Sequence, residues 1–247
     1  MLIRCIDFET TGEPTEEDPQ AVCEVGMCDV TVSAGDPVPG ARIADFGLPW
    51  SRVTKLRREM PHDARAVHHI SDDELAAADI ETATVFMRLM GESDDVPRPD
   101  FFCAHNADYE REFFRGGSIP WICTYKVALR VWPDLEKHSL QFLRYALDLD
   151  IEQQIGLPAH RAGPDVYVGA ALMARIFEEP GAPDLDTMVR WSKGAALLPK
   201  ITFGNKFKGQ PWSDADDGYL FWIIDKSDLS RDVKANAKHH LKLRGRL

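Results

Sequence analysis

The sequence predicts an α/β fold, a sheet flanked by helices. Three observations predict it. Two apolar strand-like runs near the N-terminus are separated by one acidic, turn-rich loop. Later short apolar runs each lead directly into a helix. Longer segments carry apolar residues at helical spacing rather than in alternation.

Taken in order, Leu2, Ile3, Ile6 and Phe8 mark the first strand. Gly12 to Gln20 is the acidic loop, and Val22, Val25, Met27, Val30 and Val32 mark a second strand, so an antiparallel hairpin is expected. Phe46 to Val53 is a candidate third strand. Two short helices follow around Asp63–Ser71 and Asp72–Leu75, with Ser71 as the cap between them. Thr82–Met90 places Val85, Phe86, Leu89 and Met90 on one side of a helix, and Ser93–Asp100 is a Pro/Asp-rich loop. Phe101–His105 is a buried strand running into a helix that Asn106 is suited to cap. Trp121–Thr124 is another short strand, followed by helices at Tyr125–Trp132 and Ser139–Leu147. Asp165 opens a helix whose buried side holds Val168, Leu172, Met173, Ile176 and Phe177. After Leu185–Lys193 and a linker at Gly194–Pro199, the tail reads as a small hairpin plus helices, giving domains at 1–197 and 198–247.

Bulk properties narrow the function classes. The 247 residues are 44% hydrophobic, enough for a moderate core with a small appendage. No run of eighteen apolar residues exists, so no membrane partner is expected. Met1 leads straight into the first strand without a charged and apolar leader, which points to the cytoplasm. Cys5, Cys23, Cys28, Cys103 and Cys123 form no Cys-x-x-Cys pair and read as buried free thiols. The net charge is −11, but it is uneven. Leu198–Leu247 carries ten Lys/Arg and six Asp/Glu, a net of +4, so the other 197 residues hold 19 basic and 34 acidic groups, a net of −15. An acidic body can still receive a polyanion if bound cations offset its carboxylates and a basic tail helps hold it.

The chemistry begins at Asp7 and Glu9. On a strand, residues two apart project from the same face, here about 6–7 Å apart along the backbone. Two such carboxylates repel and are costly to desolvate, and a divalent cation between them relieves both problems. Asp108, His160 and Asp165 follow, at strand ends and helix starts. Four carboxylates can hold two divalent cations about 3.5–4 Å apart, the arrangement suited to in-line phosphoryl displacement. His160 is then placed to take a proton from the attacking water.

Asp7-Phe8-Glu9-Thr10, His105-Asn106-Ala107-Asp108 and His160-Arg161-Ala162-Gly163-Pro164-Asp165 resemble the three motifs of the DEDDh (DnaQ-like) 3′–5′ exonucleases. Ala66-Val67-His68-His69-Ile70 is similar to that family's short substrate-side helix, and the tail is similar to a C-terminal extension found in one branch of it. The resemblance implies a ribonuclease-H-like mixed five-stranded sheet flanked by helices, with a small C-terminal α+β domain. It implies Asp7, Glu9, Asp108 and Asp165 as ligands of two Mg2+ ions, with Mn2+ as a substitute, and His160 as general base. It puts Thr10 and Thr11 at the substrate through their backbone N–H groups, His68 either there or in a helix-capping or buried role, and Asn106 at a helix cap beside the substrate. The implied partner is DNA with a free 3′ end, cut to nucleoside 5′-monophosphates in repair or recombination. RNA stays open as a substrate, and a homodimer is compatible with the family. The other readings are an exoribonuclease trimming RNA 3′ ends, and a polymerase-associated proofreading subunit or non-catalytic nucleic-acid-binding module.

Overall fold

The computed structural model describes residues 1–33, 43–93, 95–226 and 228–247. In chain order the elements are β1 (Leu2–Thr10), β2 (Val22–Val32), β3 (Ile43–Phe46), β4 (Trp50–Val53), α1 (His62–His68), α2 (Asp72–Ala77), α3 (Thr82–Leu89), β5 (Phe101–Ala104), α4 (Ala107–Phe113), β6 (Trp121–Cys123), α5 (Thr124–Val131), α6 (Leu140–Ala146), α7 (Ala162–Glu178), α8 (Leu185–Ser192), α9 (Asp217–Lys226) and α10 (Arg231–Leu243).

The sheet order is β3-β2-β1-β5-β6, with β4 also paired to β2. β1 is antiparallel to β2 and parallel to β5, and β5 is parallel to β6, so the sheet is mixed. β3 pairs with Val30–Val32 and β4 with Glu24–Met27, in series along one edge of β2. The sheet is therefore five strands wide although six segments build it. The expected strand at Phe46–Val53 is interrupted at Gly47-Leu48-Pro49, where proline has no N–H to donate to a ladder.

β1 is central and buried along most of its length, and its side chains alternate between two cores. Ile3 and Cys5 pack with Cys28, Cys103 and the buried side of α7, including Leu172, Met173 and Ile176. Ile6 and Phe8 pack on the opposite face with Val85, Leu89, Phe102 and Phe114. Fully burying each such aliphatic or aromatic side chain contributes about 1.5–3 kcal/mol. Asp7 and Glu9 continue the Ile3/Cys5 row, so they project on the α7 side at the end of β1. All five cysteines are free and buried.

The short helices fall close to their expected places. Ser71 accepts the Glu74 N–H, and Glu74 reaches back to the Ser71 N–H, a reciprocal box that starts α2. Asn106 occupies the N-cap position of α4 but makes no capping hydrogen bond; its φ of 132° turns its side chain away from the helix N–H groups. α7 starts at Ala162, one turn before the expected Asp165, because Gly163-Pro164 forms its first turn, where proline's missing N–H is harmless. Asp94, within the Pro/Asp-rich loop, lies outside the described residues.

The tail packs around its own cluster of Ile201, Trp212, Ala215, Leu220, Ile223, Val233, Ala237 and Leu241. Its described residues form helices and no strand. The expected hairpin is reduced to one bridge between Lys200 and Pro211, because Gly209 turns back within the loop and donates to Ile201. Trp212 is core, whereas Phe221 and Trp222 are exposed. No helix among the described residues is long and apolar enough to cross a membrane.

Candidate active site

Three of the expected ligands meet. Oxygen atoms of Asp7, Glu9 and Asp165 lie within 4.8 Å of one another. Strand alternation delivers the first two, and the first turns of α7 deliver the third. α7 comes this close because of two residues of β2. Gly26 stands opposite Asp7, and a Cβ there would lie 2.3 Å from the Ala162 carbonyl oxygen. Glu24 stands opposite Glu9 and accepts hydrogen bonds from Arg161 Nε at 2.8 Å, Arg161 Nη2 at 3.2 Å and the Ala162 N–H at 3.2 Å. The same Arg161 also pairs with Glu74 at 2.9 Å. The start of α7 is thus pinned to the sheet beside the carboxylates.

Asp108 is elsewhere. Its carboxylate accepts from the buried Lys126 Nζ at 2.8 Å, which also donates to the Ser192 carbonyl at 3.1 Å. Two residues apart on one helix, Asp108 and Glu110 project in nearly opposite directions. Only one of them lies on the buried side, Glu110, and it falls outside the three-carboxylate group. It is 4% exposed, its Oε2 has no hydrogen-bond partner among the described residues, and its charge acts on Asp7. The helix itself carries the signal: Ala107, Glu110 and Phe114 share the buried side, which leaves Glu110 as the charged residue facing inward.

The electrostatics are those of a carboxylate cluster with too little counter-charge. Burial first, then repulsion from Glu9, Asp165, Glu110 and Glu24, holds the Asp7 carboxyl well above the usual range. Burial pushes Glu9 up to about 8, with Asp165 and Glu24 adding to it and Arg161 opposing it. Glu110 is also pushed up to about 8, mainly by burial. Asp165 is raised by burial, against a 3.1 Å hydrogen bond from the His160 N–H and one of 2.7 Å from Gln141. Hard oxygen donors, clustered and partly orphaned, fit a divalent cation such as magnesium, manganese or calcium.

The remaining expected residues divide. His160 is exposed, immediately before α7, in left-handed backbone conformation with φ 59°. Asn106 is exposed at the junction of β5 and α4. His68 is not at the surface. It is 1% exposed, its Nδ1 accepts the Ile70 N–H at 3.1 Å and its Nε2 lies 3.9 Å from Cys23 Sγ. The left-handed turn at His69 folds it inward, so in this structure it does not reach a substrate. Thr10 and Thr11 are likewise committed to the loop. The Thr11 N–H donates to Ala21, its hydroxyl to Gln20 Oε1 at 2.7 Å, and the Thr10 hydroxyl joins Tyr109 and the Gly12 carbonyl. The backbone of Thr11 therefore has no free N–H to offer a nucleotide. His105 is a packed histidine, bonded to Thr124 Oγ1 at 2.9 Å and the His138 carbonyl at 2.8 Å, and burial pushes it down to about 4.

Comparison with known proteins identifies the family of the chain. The exonuclease family model RNase_T matches residues 5–173. The chain is 32% identical over 244 residues to exodeoxyribonuclease 10 of Escherichia coli strain K12, covering 97% of this chain and 99% of that one. The solved structure of exonuclease X in complex with 5′ overhanging duplex DNA aligns with a TM-score of 0.56 at 26% identity, covering 77% of this chain and 99% of that chain. Cell-death related nuclease 4 shares the fold at a TM-score of 0.50 and 17% identity, covering 71% of this chain and 63% of its own. The sheet, the acidic cluster at its centre and these matches together make the chain a member of the exonuclease family.

Proposed function

We propose that the protein is a 3′–5′ exodeoxyribonuclease that releases nucleoside 5′-monophosphates, acting in the cytoplasm in DNA repair or recombination. The observation that carries this reading is the cluster of Asp7, Glu9 and Asp165, with the orphaned carboxylate of Glu110 near enough for its charge to act on Asp7. The DNA-bound relative and the exodeoxyribonuclease relative support DNA as the substrate.

In this reading Asp7, Glu9, Glu110 and Asp165 would hold two divalent cations, magnesium by donor type with manganese as a substitute, which would supply charge neutralisation at the scissile phosphate and acidify the attacking water. His160 takes the proton of that water. Its exposed ring leaves it open to solvent and substrate, while its own N–H fixes Asp165. Asp108 serves α4 instead, holding Lys126 and through it the end of α8. Thr10 and Thr11 shape the turn over which the terminal nucleotide passes, and Asn106 borders it. Residues 198–247 form a separate small domain with its own core.

The test uses 5′-labelled single-stranded DNA, duplex DNA with a 5′ overhang, and single-stranded RNA, each with magnesium. The expected result is a ladder shortening from the 3′ end on DNA, lost with EDTA and lost in Asp7→Ala. A ladder on RNA alone overturns the DNA assignment, and a fully active Asp7→Ala overturns the site.

A further inference from the structure

We propose that the outer face of α10 is a second nucleic-acid contact, which grips the phosphate backbone of the substrate away from the carboxylate cluster. The inference rests on the reading of the chain as a DNA exonuclease. Charge is segregated along the sequence, +4 in Leu198–Leu247 against −15 in the rest. A polyanion is repelled by most of the body and attracted by the tail.

Three of the tail's ten cations are ion-paired among the described residues; of the other seven, Lys200, Lys208 and Lys226 are scattered over loops and α9, and four lie on α10. Lys206 pairs with Asp216 at 2.5 Å, and Arg244 and Arg246 share Asp217 at 2.8 and 2.9 Å. Arg231, Lys234, Lys238 and Lys242 have no ion pair or side-chain hydrogen bond among the described residues. These four all belong to α10, at spacings of three, four and four residues. At 3.6 residues per turn they occupy an arc of about 80° on one side. Val233, Asn236, Ala237 and Leu241 fill the buried side. Asp232, the helix's one acid, turns toward the Ala196 N–H at 3.1 Å, and Asn236 binds Ala196 and Leu198. The helix therefore docks by one face and presents a purely cationic stripe on another.

The helix dipole accounts for Lys242 in the last turn but not for the rest of the stripe, least of all Arg231 in the first turn. Lys234, Lys238 and Lys242 repel one another at i,i+4 by a few tenths of a kcal/mol per pair, and no acid on the helix relieves it. A solvated helix face ordinarily mixes signs. Successive lysines step about 6 Å along the axis, a regular row of point charges suited to a repeating phosphate backbone and indifferent to base sequence. Such a contact adds affinity for long substrates and leaves the chemistry unchanged.

The experiment compares the full-length protein with K234A/K238A/K242A. Alanine is the best helix former, and a thermal melt checks that α10 and its core survive; K234Q/K238Q/K242Q serves as the second variant. Binding of a labelled 30-nucleotide single strand is followed by anisotropy in EDTA, so cleavage does not enter. Hydrolysis of the p-nitrophenyl ester of thymidine 5′-monophosphate, too short to reach α10, is measured with magnesium. The expected result is about tenfold weaker strand binding at moderate salt. The slope of log K against log salt should flatten by about 2, the value for three lost single-strand contacts. Hydrolysis of the small ester should be unchanged. An unchanged slope overturns the proposal, as does an equal loss on the small ester. If the wild type neither hydrolyses the ester nor shortens the strand once magnesium is added, yet the variant still binds DNA more weakly in EDTA, the exonuclease reading fails and the grip stands.

Discussion

Replacing Glu110 by Gln, set against Asp108→Asn, separates two of the three acids of α4. In the metal-free protein Glu110 sits at about 8 instead of its ordinary 4.5. The folded state holds that proton more tightly than the unfolded chain does. Its contribution to stability is therefore fully present below about 4.5 and is lost as pH rises through about 8. At 1.36 kcal/mol per tenfold change, the rise sets a ceiling of roughly 5 kcal/mol. Repulsion from Glu9 and Asp108 reduces the share that Glu110 alone carries to a few kcal/mol. For a chain of this size, each kcal/mol moves the midpoint by about 2–4 °C. Thermal melts in EDTA should show the wild type losing about 5–10 °C more than Glu110→Gln between pH 5 and pH 9. Added magnesium should restore the wild type at pH 9 and stabilise Glu110→Gln much less. Asp108→Asn should keep the wild-type response to both pH and metal. If Asp108→Asn loses the metal response while Glu110→Gln keeps it, the assignment of Glu110 is refuted and the sequence expectation for Asp108 returns.

The docking of α7 gives further outcomes. Gly26→Ala drives a Cβ into the Ala162 carbonyl and should cost about 1–3 kcal/mol by overpacking, with a larger loss of kcat than of DNA binding, read by denaturation and steady-state kinetics; an unchanged kcat contradicts the close approach. Arg161→Met leaves the Glu24 carboxylate buried without its partner, a loss of about 3–5 kcal/mol in urea unfolding. A change below about 1 kcal/mol would show that the pair does not anchor the helix. His160→Ala should lower kcat by about 10²–10⁴ while DNA affinity in EDTA stays at the wild-type level. Wild-type turnover in that variant would remove His160 from the mechanism.

The sequence by itself determined much of this protein. The hairpin, the strand-to-helix junctions at Ala104 and Cys123, and the same-face pair Asp7/Glu9 follow from residue type and a period of two, which are local properties. So do the cap at Ser71 and the uneven charge. What the tertiary structure decided is which polar side chain points where once helices dock. The motif at His105–Asp108 suggested an acid, but the rotation of α4 against the sheet buries Glu110 and gives Asp108 to Lys126, a residue 18 positions away on another helix. His68 was legible as polar and helical, yet the turn at His69 directs it inward to Cys23. Glu24 and Gly26 carry no motif. Their roles arise only when residues 137 and 136 positions later arrive against β2. Local pattern fixes which face a side chain takes, whereas the pairing of buried charges depends on the distances between elements far apart in the chain.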